Sequence, residues 1–197
     1  MGKIFCLMGK SSTGKDTIFK KLTEDPSLNL HTIVSYTTRP IRDGELEGKE
    51  YFFVDEARLE QLSAAGRVIE QRAYQTFHGI WKYFTADDGQ IDLKNKSYLI
   101  IGTPESYRGI REYFGRANVV ALLITLDDGE RLQRALDREK MQEKPRYEEM
   151  CRRFLSDAQD FSAEKIREAG IERSFENNDL AHCLAQIREY ILGEDTD

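Results

Sequence analysis

The residues best suited to chemistry lie near the start of the chain, where Gly9, Gly14 and Lys15 have the spacing GxxxxGK. In this pattern the backbone N–H groups of a tight turn surround phosphate oxygens, and the lysine reaches the β- and γ-phosphates of a nucleotide. The turn follows the apolar run 4–8 and precedes a helix-like stretch, 16–22, whose positive end adds to the attraction. We predict a nucleoside triphosphate site at Gly9, Lys10, Ser11, Ser12, Thr13, Gly14, Lys15, Asp16 and Thr17.

A second group of polar residues can bind a phosphomonoester. Arg39 and Arg42 carry planar guanidinium groups that match the oxygens of a dianionic phosphate, and Ser35 and Tyr51 can donate neutral hydrogen bonds to the same group. These residues lie in or beside the polar loop 37–45, between two strand-like stretches. Two phosphate sites in one chain suit the transfer of a phosphoryl group between two ligands.

The elements that must position these groups alternate between strand-like and helix-like patterns. This order predicts an α/β fold in which a phosphate-loop parallel sheet is flanked by helices, with one insert near 35–85 and another near 138–150. The predicted strands are 4–8, 31–38, 51–54, 67–73, 78–85, 98–101, 119–124 and 173–176. The predicted helices are 15–24, 56–65, 104–114, 127–140, a long one from 147, and 179–192. The core positions predicted for the long helix are Tyr147, Met150, Cys151, Phe154, Leu155, Ala158 and Phe161.

Length and composition narrow the functional class. A chain of 197 residues suits a single domain. Its net charge of −6 gives no field that attracts nucleic acid or an anionic membrane. No signal peptide or membrane span fits the apolar runs, so we expect a cytoplasmic protein. Cys6, Cys151 and Cys183 are far apart, which argues against a disulfide framework or a metal site.

The phosphate loop and the segment 35–54 together resemble the guanylate kinase family. The segment reads SYTTRPIRDGELEGKEYFFV, and the family signature has the form S-x-T-T-R-x-x-R-x-G-E-x-x-G-x-x-Y-x-F-V. The likeness extends over nearly the whole chain, because the order of elements, the positions of the inserts and the C-terminal Asn-Asn-Asp-Leu also fit. The resemblance implies ATP-dependent phosphoryl transfer to GMP or dGMP by a monomer or homodimer that binds no nucleic acid or membrane. It also implies one domain, with a core at 1–34, 86–137 and 151–197, a monophosphate-binding insert at about 35–85 and a lid at about 138–150.

The resemblance also assigns roles to single residues. The acceptor, GMP, would contact Ser35, Arg39, Arg42, Tyr51, Glu70, His78 and Thr103. Within this set, Glu70 would accept hydrogen bonds from guanine N1–H and the exocyclic amine, as suits an acceptor-only carboxylate. Lys15 and two lid arginines, Arg138 and Arg153, would be catalytic, with Arg152 as the alternative to Arg153. Asn177 would lie near the adenine of ATP.

A Mg²⁺ ion with ATP is also implied, and the sequence offers two ligands for it. Asp16 stands where the pattern has a serine or threonine, and Thr17 follows. A carboxylate or a hydroxyl can bind Mg²⁺, so the choice between Asp16 and Thr17 stays open.

Other departures concern the base. The family's Tyr-Gly-Ser corresponds to His78-Gly79-Ile80, and its paired aspartates correspond to Ile101 and Thr103. These changes remove an acceptor for the guanine amine. A kinase for another phosphate ester, such as ribose 1,5-bisphosphate, is therefore one alternative, because ribosyl bisphosphate phosphokinases resemble this family and often contain Gly-Lys-Asp. A non-catalytic binding module is another.

Overall fold

The protein, described by a computed structural model for residues 1–76 and 79–194, alternates strands and helices. The strands are β1 (Ile4–Gly9), β2 (Leu30–Thr32), β3 (Tyr36–Thr37), β4 (Phe52–Phe53), β5 (Val68–Thr76), β6 (Gly79–Ala86), β7 (Ser97–Gly102), β8 (Val119–Thr125) and β9 (Ser174–Glu176). The helices are α1 (Lys15–Thr23), α2 (Glu56–Ala64), α3 (Pro104–Phe114), α4 (Asp128–Lys140), α5 (Tyr147–Asp160), α6 (Ala163–Glu168) and α7 (Leu180–Glu194).

The main layer is a five-stranded parallel sheet in the order β2-β7-β1-β8-β9. All six residues of β1 are buried, because the continuous apolar run sends side chains into two cores, one on each face. Leu7 packs in the core that contains Ile18 of α1 and Cys183 of α7. Cys6 packs in the other core, with Tyr107 of α3. The predicted parallel sheet with helices on both faces is confirmed.

A smaller sheet, in the order β4-β3-β6-β5, forms the first insert. Its core contains Tyr36 and Phe84 packed against Leu59 and Leu62 of α2. Strands β5 and β6 are antiparallel and pair along most of their length. The insert therefore presents a broad strand surface next to the main sheet.

The prediction of one strand over 31–38 is wrong, because β2 and β3 belong to different sheets. Between them, Val34 pairs with a side chain rather than with a strand. Its N–H donates to Gln90 Oε1 at 2.8 Å, and its carbonyl accepts from Gln90 Nε2 at 3.2 Å. The Gln90 amide thus satisfies the backbone at the point where the chain passes from one sheet to the other.

The predicted core face of α5 is also largely wrong. Phe161, just after the helix, is buried, and Met150 and Phe154 are half-buried. The exposed members of the predicted set are Tyr147, Cys151, Leu155 and Ala158. Sequence reasoning also missed the short helix α6. Within the described residues, none of the helices is both long enough and apolar enough to cross a membrane.

Candidate active site

The loop between β1 and α1 is shaped by close packing and by one buried amide. An alanine Cβ at Gly9 would lie 2.9 Å from the Ile124 carbonyl oxygen, so only glycine allows this approach. Gly14 has a left-handed backbone with φ 87°. Asn177, only 4% exposed, donates from Nδ2 to the Thr13 carbonyl at 2.7 Å. Asn177, which the resemblance assigns to adenine, therefore supports the loop from its buried side.

Charged residues of α4 and α5 hold the other side of the loop. Arg131 is 1% exposed; its Nε donates to the Ser11 carbonyl at 3.0 Å, and its Nη2 donates to Asp157 at 3.1 Å. The Ser11 N–H donates to the same Asp157 oxygen at 2.6 Å. Asp128 pairs with Arg131 and also accepts from Lys10 Nζ at 3.2 Å. No sequence signal indicated the complete burial of Arg131.

The exposed end of the loop carries the lysine and the two candidate metal ligands. Lys15 Nζ lies 2.9 Å from Asp16 Oδ1, and the Asp16 side chain is 77% exposed. Thr17 is also exposed, in the first turn of α1. Asp16 and Thr17 thus offer oxygen donors next to the backbone amides of the loop.

The predicted phosphomonoester clamp has a buried, organised arginine at its centre. Arg39 is 3% exposed and donates to both Glu45 oxygens, at 2.7 and 2.6 Å. Its guanidinium lies over the rings of Tyr51 and Phe53, at 5.1 and 5.2 Å from their centroids. The hydrogen bonds from Arg39 hold the pKa of Glu45 below its usual range. Ser35, which is close to Arg39 in sequence, is also buried. Sequence reasoning did not identify Glu45 as the partner of Arg39.

Positive charge converges at the second clamp arginine. Burial lowers the pKa of Arg42, and the neighbouring charges of Arg39 and Arg153 lower it further. The guanidinium of Arg42 also lies 6.0 Å from the centroid of the Trp81 ring. Because these three arginines come from the insert and from α5, the structure brings together cations that are distant in sequence. Such a cluster favours a bound anion.

A charge of the phosphate loop acts on the clamp. Burial is the largest cause that raises the pKa of Tyr51, and the Asp16 carboxylate contributes in the same direction. The charge of the phosphate-loop helix therefore acts on the clamp. The two predicted phosphate sites are close enough for their charges to interact.

The far end of the insert holds a buried ion pair that the sequence analysis did not predict. Arg72 donates from Nε and Nη2 to the two oxygens of Glu70, at 3.0 and 3.4 Å. Thr85 Oγ1 donates to Glu70 Oε1 at 2.7 Å. Arg72 Nη1 also reaches the Thr103 hydroxyl, at 3.5 Å. The sequence feature that could have predicted this ion pair is the spacing of Glu70 and Arg72, since residues i and i+2 of a strand share one face.

The predicted lid arginines have different partners. Arg152 donates two hydrogen bonds to Glu149, at 2.7 and 2.9 Å, and Arg153 donates one, at 2.8 Å. The bonds from Arg152 are the largest cause that lowers the pKa of Glu149 to about 2, and the bond from Arg153 lowers it further. Arg138 Nη2 lies 3.4 Å from the Ser12 hydroxyl, at the phosphate loop. The predicted residue His78 lies outside the described residues.

Comparison with known proteins agrees with this geometry. The family model for guanylate kinase matches residues 1–192. A guanylate kinase of Anaplasma phagocytophilum is 32% identical over 137 residues, which are 69% of this chain and 63% of that protein. One of Wolbachia sp. subsp. Brugia malayi is 43% identical over 84 residues, 42% of this chain and 43% of that protein. These two alignments span less than two thirds of the relatives' lengths.

Two further comparisons extend over nearly the whole chain. A guanylate kinase of Symbiobacterium thermophilum is 27% identical over 195 residues, 98% of this chain and 86% of that protein. The crystal structure of the guanylate kinase from Anaplasma phagocytophilum superposes with a TM-score of 0.67 at 27% identity, covering 100% of this chain and 87% of that one. With the family model matched over residues 1–192, the chain belongs to the guanylate kinase family.

Proposed function

We propose that this protein transfers the γ-phosphoryl group of ATP to GMP or dGMP, giving GDP or dGDP. The observation that carries the proposal is the presence of two anion sites whose charges interact, namely the phosphate loop and the clamp of Arg39, Arg42 and Tyr51. Family membership supports the same reaction. A single binding module would need only one of the two sites.

The chain's own groups would hold the two substrates and compensate their charge. The loop amides and Lys15 bind the donor phosphates, while Arg39 and Arg42 hold the acceptor phosphate in line with them. Arg138 and Arg153 add positive charge from the helices beside the loop. No general base is needed, because phosphoryl transfer depends chiefly on positioning and charge stabilisation.

The base of the acceptor would lie at Glu70. This residue shares the inner face of the β5 and β6 hairpin with Tyr83, whose ring contacts that of Tyr51. A monophosphate held at the clamp therefore directs its base along this face toward the Glu70 carboxylate, which would accept the N1–H of guanine. Ser35, His78 and Thr103 complete the proposed acceptor site, and Asn177 belongs to the ATP side.

Mg²⁺ fits the donor set at the exposed end of the loop. Asp16 and Thr17 would hold it through a carboxylate and a hydroxyl, the hard oxygen ligands that this ion prefers. Across the described ranges 1–76 and 79–194, no group of three or more His, Cys, Asp or Glu residues could hold a metal alone. A site of one or two protein ligands completed by phosphates and water is typical of Mg²⁺. When bound, the ion would compensate the negative charge of the donor phosphates.

The proposed domain organisation follows from these sites. The chain would form one domain with its core at 1–34, 86–137 and 151–197. The monophosphate insert would cover about 35–85 and the lid about 138–150. Closure of both inserts over the bound substrates would exclude water and suppress ATP hydrolysis.

The test is ADP release with Mg-ATP and a panel of GMP, dGMP, AMP, UMP and ribose 1,5-bisphosphate. We expect GMP or dGMP to give the highest kcat/KM. Turnover of GMP no faster than the blank without acceptor would refute the proposal. Faster turnover of ribose 1,5-bisphosphate would replace it with the sugar-phosphate alternative.

A further inference from the structure

The end of the insert where the base of the acceptor is proposed to bind contains an ion pair that is almost completely buried. Glu70 and Arg72 are separated by one residue in β5, so their side chains lie on the same face of the strand. These side chains are only 5% and 10% exposed. The β6 residues opposite them are Thr85 and Tyr83. Since the Tyr83 ring lies 5.6 Å from that of Tyr51, one continuous face connects the phosphate clamp with this ion pair.

The Glu70 carboxylate has little acceptor capacity left. An ionised carboxylate offers about four lone-pair sites. Arg72 Nε uses one on Oε2, while Arg72 Nη2 and Thr85 Oγ1 use two on Oε1. Roughly one site therefore remains. Glu70 can accept one N–H from a base but not two.

Thr103, the next polar group at this end, has no spare acceptor site. Its hydroxyl oxygen accepts from the Ser106 N–H at 3.3 Å and from Arg72 Nη1 at 3.5 Å. A hydroxyl has about two acceptor lone pairs, so both are used and only its O–H remains, as a donor. The Thr103 side chain thus cannot accept the exocyclic amine of guanine.

We infer that Arg72 sets the base specificity of the acceptor site and that the site recognises 6-oxopurine monophosphates without reading the 2-amino group. The inference rests on the proposed function. Glu70 accepts the purine N1–H, and the N–H groups of Arg72 left over after its bonds to Glu70 and Thr103 face the 6-oxo group. Inosine monophosphate (IMP), which lacks the 2-amino group, is then used about as well as GMP. Arg72 is a positioning residue for Glu70 as well as a donor to the base.

The competing arrangement predicts a very different result. A site built to bind a substrate N–H rejects an analogue that lacks it by several orders of magnitude, because buried acceptors are left unpaired. The experiment is therefore the ratio of kcat/KM for GMP to that for IMP, with AMP as the 6-amino control. Isothermal titration calorimetry of GMP and IMP gives the same ratio without turnover. Because both are ratios, they do not depend on the fraction of enzyme folded.

Thr103→Asp is the variant that tests the cause. Aspartate keeps the helix cap at this position and adds acceptor sites beside Arg72, so it should shift the ratio toward GMP by roughly tenfold or more. Thr103→Ser keeps the hydroxyl, and its ratio should match that of the wild type whatever its absolute rate. Arg72→Gln frees acceptor sites on Glu70 and should shift the ratio in the same direction. If this variant does not fold, Thr103→Asp still decides.

The outcomes separate the inference from the proposed function. A wild-type ratio within about threefold of unity, with the shift in Thr103→Asp, supports the inference. GMP turnover with IMP more than about threefold worse, or an unshifted ratio in Thr103→Asp, overturns it while leaving the kinase function intact. Equal binding of both nucleotides without transfer supports the inference and refutes the reaction. Binding of neither nucleotide, or preference for AMP, refutes both.

Discussion

Replacing Gly14 with alanine is expected to destabilise the phosphate loop through two separable effects. Gly14 has φ 87°, and a left-handed backbone costs a non-glycine residue roughly 1–2 kcal/mol. An alanine Cβ would also overlap the amide nitrogen of Asn177, which is bonded to the Thr13 carbonyl at 2.7 Å. Displacing that amide leaves a buried acceptor unpaired and costs about 1–3 kcal/mol more. Gly14→Ala should therefore lose roughly 2–5 kcal/mol of unfolding free energy.

A matched glycine isolates the second effect. Gly89 has φ 93°, and an added Cβ would meet nothing within 4 Å. Urea unfolding of Gly89→Ala should show only the backbone cost of about 1–2 kcal/mol. Asn177→Ala removes the obstructing amide. The double variant with Gly14→Ala should therefore lose less than the sum of the single losses, by about 1 kcal/mol or more.

Two results would refute this account of the loop. Equal losses for Gly14→Ala and Gly89→Ala would show that Asn177 does not restrict the space at Gly14. Strict additivity in the double variant would show that the two residues are not coupled. As a functional readout, Asn177→Ala should raise KM for ATP and leave KM for GMP unchanged, because the Asn177 amide donates to the phosphate loop at the Thr13 carbonyl.

Three further outcomes concern charges and thiols. Lys15→Ala should lower kcat for ADP release by about a hundredfold or more with little change in unfolding free energy, since its carboxylate partner is exposed; full activity would remove Lys15 from the mechanism. Arg152 and Arg153 lower the pKa of Glu149 to about 2. The excess of the wild-type unfolding free energy over that of Glu149→Gln should therefore be fully present above pH 4.5 and should shrink as the pH falls toward 2. A difference that does not vary with pH would contradict this. Exposed Cys151 should react with a disulfide reagent in the native protein, whereas Cys6, whose pKa burial raises to about 12, should react only in urea; equal rates would contradict the fold.

The sequence alone predicted those elements whose structure depends on residues close together in the chain. Strand β1 and the start of α1 follow from an apolar run and a glycine turn. The parallel sheet follows from apolar strands separated by helices. The break in the predicted strand 31–38 could not be read in this way. It depends on Gln90, whose side chain replaces a strand partner for Val34 from 56 residues away.

The amphipathic pattern of α5 illustrates a second limit. Spacing predicts which side chains share a helix face, but not whether another element covers that face. Tyr147 and Leu155 lie on such a face and remain 46% and 66% exposed. The polar residues of the same helix, Asp157 and Arg153, instead make the contacts that matter to the site.

Burial of charge is the feature that sequence predicts least, and it is concentrated around the candidate site. Arg39, Glu70 and Arg131 are 3%, 9% and 1% exposed. Each is compensated by partners that sequence reasoning did not identify, namely Glu45, Arg72 and Asp157. Isolated burial of any of them would cost several kcal/mol, so each charge and its partner must be placed together by the fold. Guanidinium groups already fixed in this way need little reorganisation when phosphate charge develops, and such preorganisation is what electrostatic catalysis requires.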